Sequence, residues 1–74
     1  MNITKLAKKL ESTGRATTTI DSTELELVYK DNSLLVDITY LDEQGDYVDD
    51  KQDAFPASCH KELVDSIHCA VDCI

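Results

Sequence analysis

Two alternating runs set back to back constrain this chain more than anything else in it. Leu25, Leu27 and Tyr29 alternate with Glu24, Glu26 and Lys30. After Asp31-Asn32-Ser33, a second run places Leu34, Val36, Ile38 and Tyr40 between Leu35, Asp37, Thr39 and Leu41. A period of two sends successive side chains to opposite faces of a strand. Two such runs around a short polar turn read as an antiparallel hairpin. The hairpin commits the chain to a sheet with one apolar face, and the remaining segments must cover that face.

Those segments read as helices at the two ends. Ile3, Leu6, Ala7 and Leu10 follow helical spacing, with Lys5, Lys8 and Lys9 off the stripe. Asn2 is suited to cap this helix over 3–13, and Gly14 to end it. Threonine-rich Arg15 to Ile20 suits a strand, and Asp21-Ser22 a turn. Gln44-Gly45 marks another turn, with Tyr47-Val48 as a short fourth strand and Asp49 to Asp53 as a solvated loop. Pro56 ends the extended part, and Ser58 caps a second helix expected from Ser58 to Ile74. At about 100° per residue, Leu63, Val64, Ile67, Ala70, Val71 and Ile74 form its core stripe. His60 falls inside that stripe and Cys59 at its border, as a small core residue. Cys69 and Cys73 lie on another side with Glu62 and Ser66.

The expected fold is a single α+β domain over residues 1–74. Its order is α-β-β-β-α with a further short strand before the last helix, and its antiparallel sheet packs on both helices. The expected core is Leu6, Leu10, Leu25, Leu27, Val36, Ile38, Leu63, Ile67 and Ala70. Leu35 and Leu41, on the other face of the hairpin, sit under a loop or at a contact with a second copy. At 74 residues the chain has room for one small core and little room for a deep pocket. No apolar run approaches the roughly 20 residues of a membrane span. The lysine-studded start does not read as a secretory signal. Three cysteines confined to the last sixteen residues read as reduced thiols of a cytoplasmic protein.

Charge is divided along the chain. Residues 1–15 carry Lys5, Lys8, Lys9 and Arg15 against Glu11, a net +3. Residues 16–74 carry fourteen acids against Lys30, Lys51 and Lys61, a net −11, which gives the overall −8. The acids concentrate at Asp42, Glu43, Asp46, Asp49, Asp50 and Asp53. Such a field repels phosphate and attracts basic surfaces.

Chemical signatures are absent. Cys59, His60, His68, Cys69 and Cys73 cluster in sequence, but zinc needs about four converging ligands and the helical wheel spreads these apart. Adjacent cysteine and histidine diverge on a helix and do not form a dyad. Asp42 to Asp53 has the length of a calcium loop, but Gln44 and Tyr47 stand where that motif needs a ligand and glycine. No metal, cofactor or catalytic residue is assigned. The element order matches double-stranded RNA-binding domains, but the second helix has Lys61 as its one cation, so direct nucleic-acid binding is rejected.

The acidic surface itself carries the functional reading. It keeps a small protein soluble, and carboxylates at phosphate-like intervals also fit a lysine and arginine groove built for nucleic acid. A short, acidic, motif-free α+β chain with the acids at Asp42, Glu43, Asp46, Asp49, Asp50 and Asp53 resembles the anti-defence proteins of bacteriophages, the anti-CRISPR proteins among them. That resemblance implies a stoichiometric, non-enzymatic inhibitor in the host cytoplasm that occupies a basic surface of a CRISPR effector complex. The expected contacts are Asp37, Asp42, Glu43, Asp46, Tyr47, Asp49, Asp50 and Asp53, with Tyr40 or Tyr47 as an aromatic anchor. An antitoxin or immunity protein against a basic nuclease uses the same electrostatics. A thiol- or zinc-dependent protein using Cys69 and Cys73 is the chemical alternative.

Overall fold

The computed structural model describes residues 2–72. Helix α1 spans Ile3–Thr13. Its first turn leaves backbone donors without partners, and the Asn2 side chain accepts one of them, the Lys5 N–H, at 3.0 Å. Gly14 ends it in the left-handed region with φ 80°, its N–H on the Leu10 carbonyl. A Cβ there would meet the Tyr29 carbonyl oxygen at an ordinary 3.6 Å, so the backbone angle and not the space calls for glycine.

Strands β1 (Arg15–Ile20), β2 (Thr23–Lys30), β3 (Ser33–Leu41) and β4 (Tyr47–Pro56) follow, then helix α2 (His60–Asp72). The sheet is an antiparallel meander in the order β1-β2-β3-β4. Asp31 and Asn32 join β2 to β3 with φ of 53° and 58°. Paired positive angles are those of a type I′ turn, whose twist matches that of the strands. The register sets Leu25 against Ile38 and Leu27 against Val36, so the alternation in both runs points its aliphatic half the same way.

That half faces the helices. α1 lies over β1 and β2, and α2 over β3 and β4. The core between the layers contains Ala7, Leu10, Ala16, Leu25, Leu27, Leu34, Val36, Ile38, Ala57, Leu63, Ile67 and Ala70. Leu6, expected inside, is half-buried at its margin. The Tyr29 hydroxyl donates to the Ala57 carbonyl at 2.8 Å and ties β2 to the segment that leads into α2.

Two expectations fail for physical reasons. The segment Asp49 to Asp53 is not a solvated loop but the middle of the ten-residue β4. β3 has apolar residues on both faces and pairs along both edges, and its second row of backbone groups is satisfied by β4. Charge leaves β4 exposed without preventing the ladder. The second helix starts at His60, not Ser58. Ser58 instead donates its N–H, at 2.8 Å, and its hydroxyl to Glu62, which holds the Glu62 carboxyl below the usual carboxylate range. Ile74 and Cys73 lie outside the described residues.

The helix also sits at a different rotation. Ser66 is buried, with its hydroxyl directed at the Pro56 carbonyl, whereas Cys59 and His60 are exposed. His60 Nδ1 meets Glu11 Oε1 at 2.5 Å, bridging the two helices at the surface. Cys59 precedes the helix and His60 is its first residue, so neither reaches the interface, whereas Ser66 is tolerated there because its small hydroxyl has an acceptor, and burial without one is costly.

The two leucines that open β3 separate the faces sharply. Leu34 is 0 % exposed and Leu35 is 46 % exposed. Leu34→Ala should cost about 2–5 kcal/mol, and Leu35→Ala less than about 0.5 kcal/mol. Urea denaturation of the two variants checks this, and equal losses would overturn the assignment of faces.

Candidate functional site on the open face of the sheet

Both helices lie on one side, so the other side of the sheet is uncovered among the described residues. Its side chains form three rows across the four strands. Thr17, Glu26, Asp37 and Gln52 make one row, and Thr19, Glu24, Thr39 and Asp50 the next. Arg15, Val28, Leu35 and Ala54 make a third, largely apolar row on the other flank. Shallow depressions lie over the acidic rows, and over the apolar row beside Asp37 and Gln52.

Four carboxylates therefore share one face: Glu24, Glu26, Asp37 and Asp50. Glu26 stands directly opposite Asp37, a position where β-carbons are roughly 5 Å apart and like charges destabilise the pair. Arg15 reaches Glu26 only at 3.9 Å, with both side chains mostly in solvent, and such a pair contributes little. The fold thus holds an electrostatic repulsion on its open face without a strong internal counter-ion.

The expected contact residues divide among three places. Asp37, Asp50 and Tyr47 lie on the open face. Tyr47 is 63 % exposed, and its hydroxyl donates to Asp50 Oδ1 at 3.1 Å. That hydrogen bond, with the Asp50 and Asp49 charges, raises the Tyr47 phenol above its ordinary pKa. Asp49 and Asp53 point to the opposite side, across from Tyr40 and Val36 on the helix-bearing face. They stay exposed there because α2 reaches β4 only near Phe55 and Pro56. Asp42, Glu43 and Asp46 form the β3–β4 turn.

Asp42 is engaged within that turn. Its Oδ1 accepts the Gln44 and Asp46 N–H groups, both at 2.9 Å. The acid shapes the connection and is committed to backbone donors, the reverse of an oxygen waiting for a cation. After the turn, the register passes from Tyr40–Asp49 to Leu41–Tyr47 and leaves Val48 as an extra residue. This bulge brings Tyr47 onto the same face as Asp50.

Glu24 and Glu26 belong at the centre of the site, although they were not among the expected contacts. Their alternation with Leu25 and Leu27 was the signal that set them on the solvent face with Asp37. Val28, Leu35 and Ala54 add apolar area beside the acids. Among the described residues, no group of three or more histidine, cysteine, aspartate or glutamate side chains is placed to hold a metal ion. Cys59 and Cys69 are exposed, and no described helix is long and apolar enough to cross a membrane. Compared with known families, curated proteins and solved structures, the chain matches none of them.

Asp50→Asn removes the charged acceptor from Tyr47, so the phenol should titrate closer to its ordinary value. Alkaline titration of phenolate absorbance checks this, with Tyr47→Phe identifying the signal among the three tyrosines. An unmoved Tyr47 transition would mean that the pair does not form in solution.

Proposed function

We propose that this chain is a non-enzymatic inhibitor that binds a nucleic-acid-handling protein through the open sheet face. Glu24, Glu26, Asp37 and Asp50 take the places of phosphates in a lysine- and arginine-lined groove. The observation that carries this reading is the Glu26–Asp37 pair. Two carboxylates directly opposite each other on an uncovered face disfavour the isolated fold. A lysine or arginine laid between them turns that cost into attraction.

The dimensions support the same reading. Carboxylates on adjacent strands are roughly 5 Å apart, and those two residues apart on one strand are about 7 Å apart. A β-sheet thus offers a fixed charge lattice to cations that normally track a backbone of phosphates. Long-range attraction speeds encounter and weakens with salt. The Val28, Leu35 and Ala54 strip supplies water-excluding contact beside the charges, and Tyr47 an exposed aromatic anchor at the other end.

A CRISPR effector complex is the favoured target, in keeping with the resemblance in type to small acidic phage proteins, and the host cytoplasm is the compartment this implies. A basic nuclease neutralised by an antitoxin or immunity protein is the second target class for the same face. The two readings separate by which protein is inhibited.

The test is isosteric neutralisation, Glu24→Gln, Glu26→Gln, Asp37→Asn and Asp50→Asn together. Affinity for purified effector complexes or basic nucleases, read by interferometry, should fall by roughly two orders of magnitude at low salt. The thermal midpoint of the isolated variant should rise as the repulsion is removed, which separates lost binding from lost folding. Binding to the target that neither the variant nor added salt weakens would overturn the reading.

A further inference from the structure

The two free edges of the sheet are chemically opposite. β1 is flanked by cations: Lys5 and Lys9 of α1 line hollows with Ala16, Thr17 and Thr18, and Arg15 begins the strand. β4 is flanked mainly by acids, with Asp50 on the open face and Asp49 and Asp53 exposed on the helix-bearing side around the single cation Lys51. No described element pairs with either edge. We infer that copies of this chain associate head to tail, the β4 edge of one adding to the β1 edge of the next as a continuous antiparallel sheet.

Three independent features select this pairing. The first is direction. In a four-stranded meander β4 runs opposite to β1, so a neighbouring copy in the same orientation presents β1 antiparallel to β4. The second is hydrogen-bond phase. The Tyr29 N–H bonds the Gly14 carbonyl, so Ala16, Thr18 and Ile20 turn their backbone groups to β2, while Arg15, Thr17 and Thr19 turn theirs outward. The Ala57 N–H bonds the Asn32 carbonyl. By the same alternation Asp49, Lys51, Asp53 and Phe55 bond β3, while Asp50, Gln52 and Ala54 turn outward. The outward residues of both strands carry their side chains on the open face. Registers that pair these outward residues satisfy bonding phase and face together, and the one that engages all three on each strand sets Thr17 opposite Gln52 of the next copy, Arg15 opposite Ala54 and Thr19 opposite Asp50.

The third feature is charge. In this register Ala16 meets Asp53, Thr18 meets Lys51 and Ile20 meets Asp49, which sets Lys9, beside Ala16, near Asp53. Pairing β1 with β1 would gather Lys5, Lys9 and Arg15 of both copies, and like charges oppose it, which is how edges are commonly protected. Pairing β4 with β4 would gather Asp49, Asp50 and Asp53 but also bring in Lys51, and self-association of a chain with its β1 edge disabled would report it. Each edge is also partly capped from within. Thr13 Oγ1 donates to the Arg15 carbonyl at 2.8 Å and accepts its N–H at 3.4 Å. Asp49 Oδ1 accepts the Asp50 N–H at 2.8 Å. Thr17 and Gln52 are then the pair free on both sides, so association is weak and salt-dependent.

Sedimentation of the full chain should show mass rising with concentration at low ionic strength and returning to monomer at high ionic strength. Thr17→Pro disables the β1 edge and Gln52→Pro the β4 edge, each replacing an N–H that the ladder does not use. Each variant alone should stay monomeric, and their mixture should form a one-to-one pair and nothing larger. Charge reversal supplies a second route: Lys9→Glu should weaken association severalfold, and mixing with Asp53→Lys should restore it. A wild-type chain that stays monomeric at every concentration would overturn the inference. Self-association of either folded proline variant alone would also overturn it, since that requires another surface. Sedimentation reads the chain alone, with no target present, so its outcome is separate from target binding.

Discussion

A four-stranded sheet has two faces, and this chain has aliphatic side chains enough for one. The phase of the alternation in β2 and β3 decides which. A slip of one residue would send Leu25, Leu27, Val36 and Ile38 to solvent and bring Glu24, Glu26 and Asp37 under the helices. The Asp31-Asn32 turn holds the register, because a two-residue loop with both angles positive permits little slack. The placement of both helices, the bare second face and the exposure of both edges follow from that phase. Among the described residues no further element covers what the first core leaves open.

Local periodicity made much of this legible in the sequence. Helix α1, its Asn2 and Gly14 caps, β1 and the central hairpin all depend on spacings within a few residues. Only the start of β4, at Tyr47-Val48, was legible; its extension to Pro56 was not, because its inward positions are Asp49, Lys51 and Asp53, and only Phe55 shows the apolar half of a strand pattern. Its strand character comes from β3, whose doubly apolar sequence marks a central strand needing a partner on each side. The rotation of α2 was missed for a related reason. Counting apolar residues weights Cys59 above Ser66, but burial depends on whether a hydroxyl has an acceptor, and the Pro56 carbonyl provides one. The acidic run was visible as a run, yet alternation and a turn distribute it over two faces and a loop. Glu24 and Glu26, outside it, come nearer the middle of the open face than most of its members.

Electrostatics therefore acts against this fold as well as through it. The core is small, and folded domains retain only about 0.05–0.15 kcal/mol per residue of net stability. On that scale an unfavourable Glu26–Asp37 juxtaposition is a sizeable charge against the isolated protein. A sequence selected for stability alone would place a lysine at one of these two positions, as Arg15 does only weakly at a distance. Both are acids, on a face that no described element covers, which fits a relieving cation that comes from elsewhere.

Polarity along the sheet adds a direction to this picture. The basic α1 and β1 side and the acidic β4 side are separated by strand order, whereas the acidic rows lie on a surface at right angles to both edges. Lateral addition of copies thus leaves the open face free. With strands about 4.8 Å apart, each added copy would repeat the Glu24, Glu26 and Asp37 constellation after four strands, or roughly 19 Å. A weakly associating monomer offers one short row of carboxylates, but neighbours assembled on an extended basic groove would offer a longer one whose contacts reinforce one another through effective concentration. Edge pairing that is weak in free solution would then be strengthened on the target, because the target itself aligns the edges.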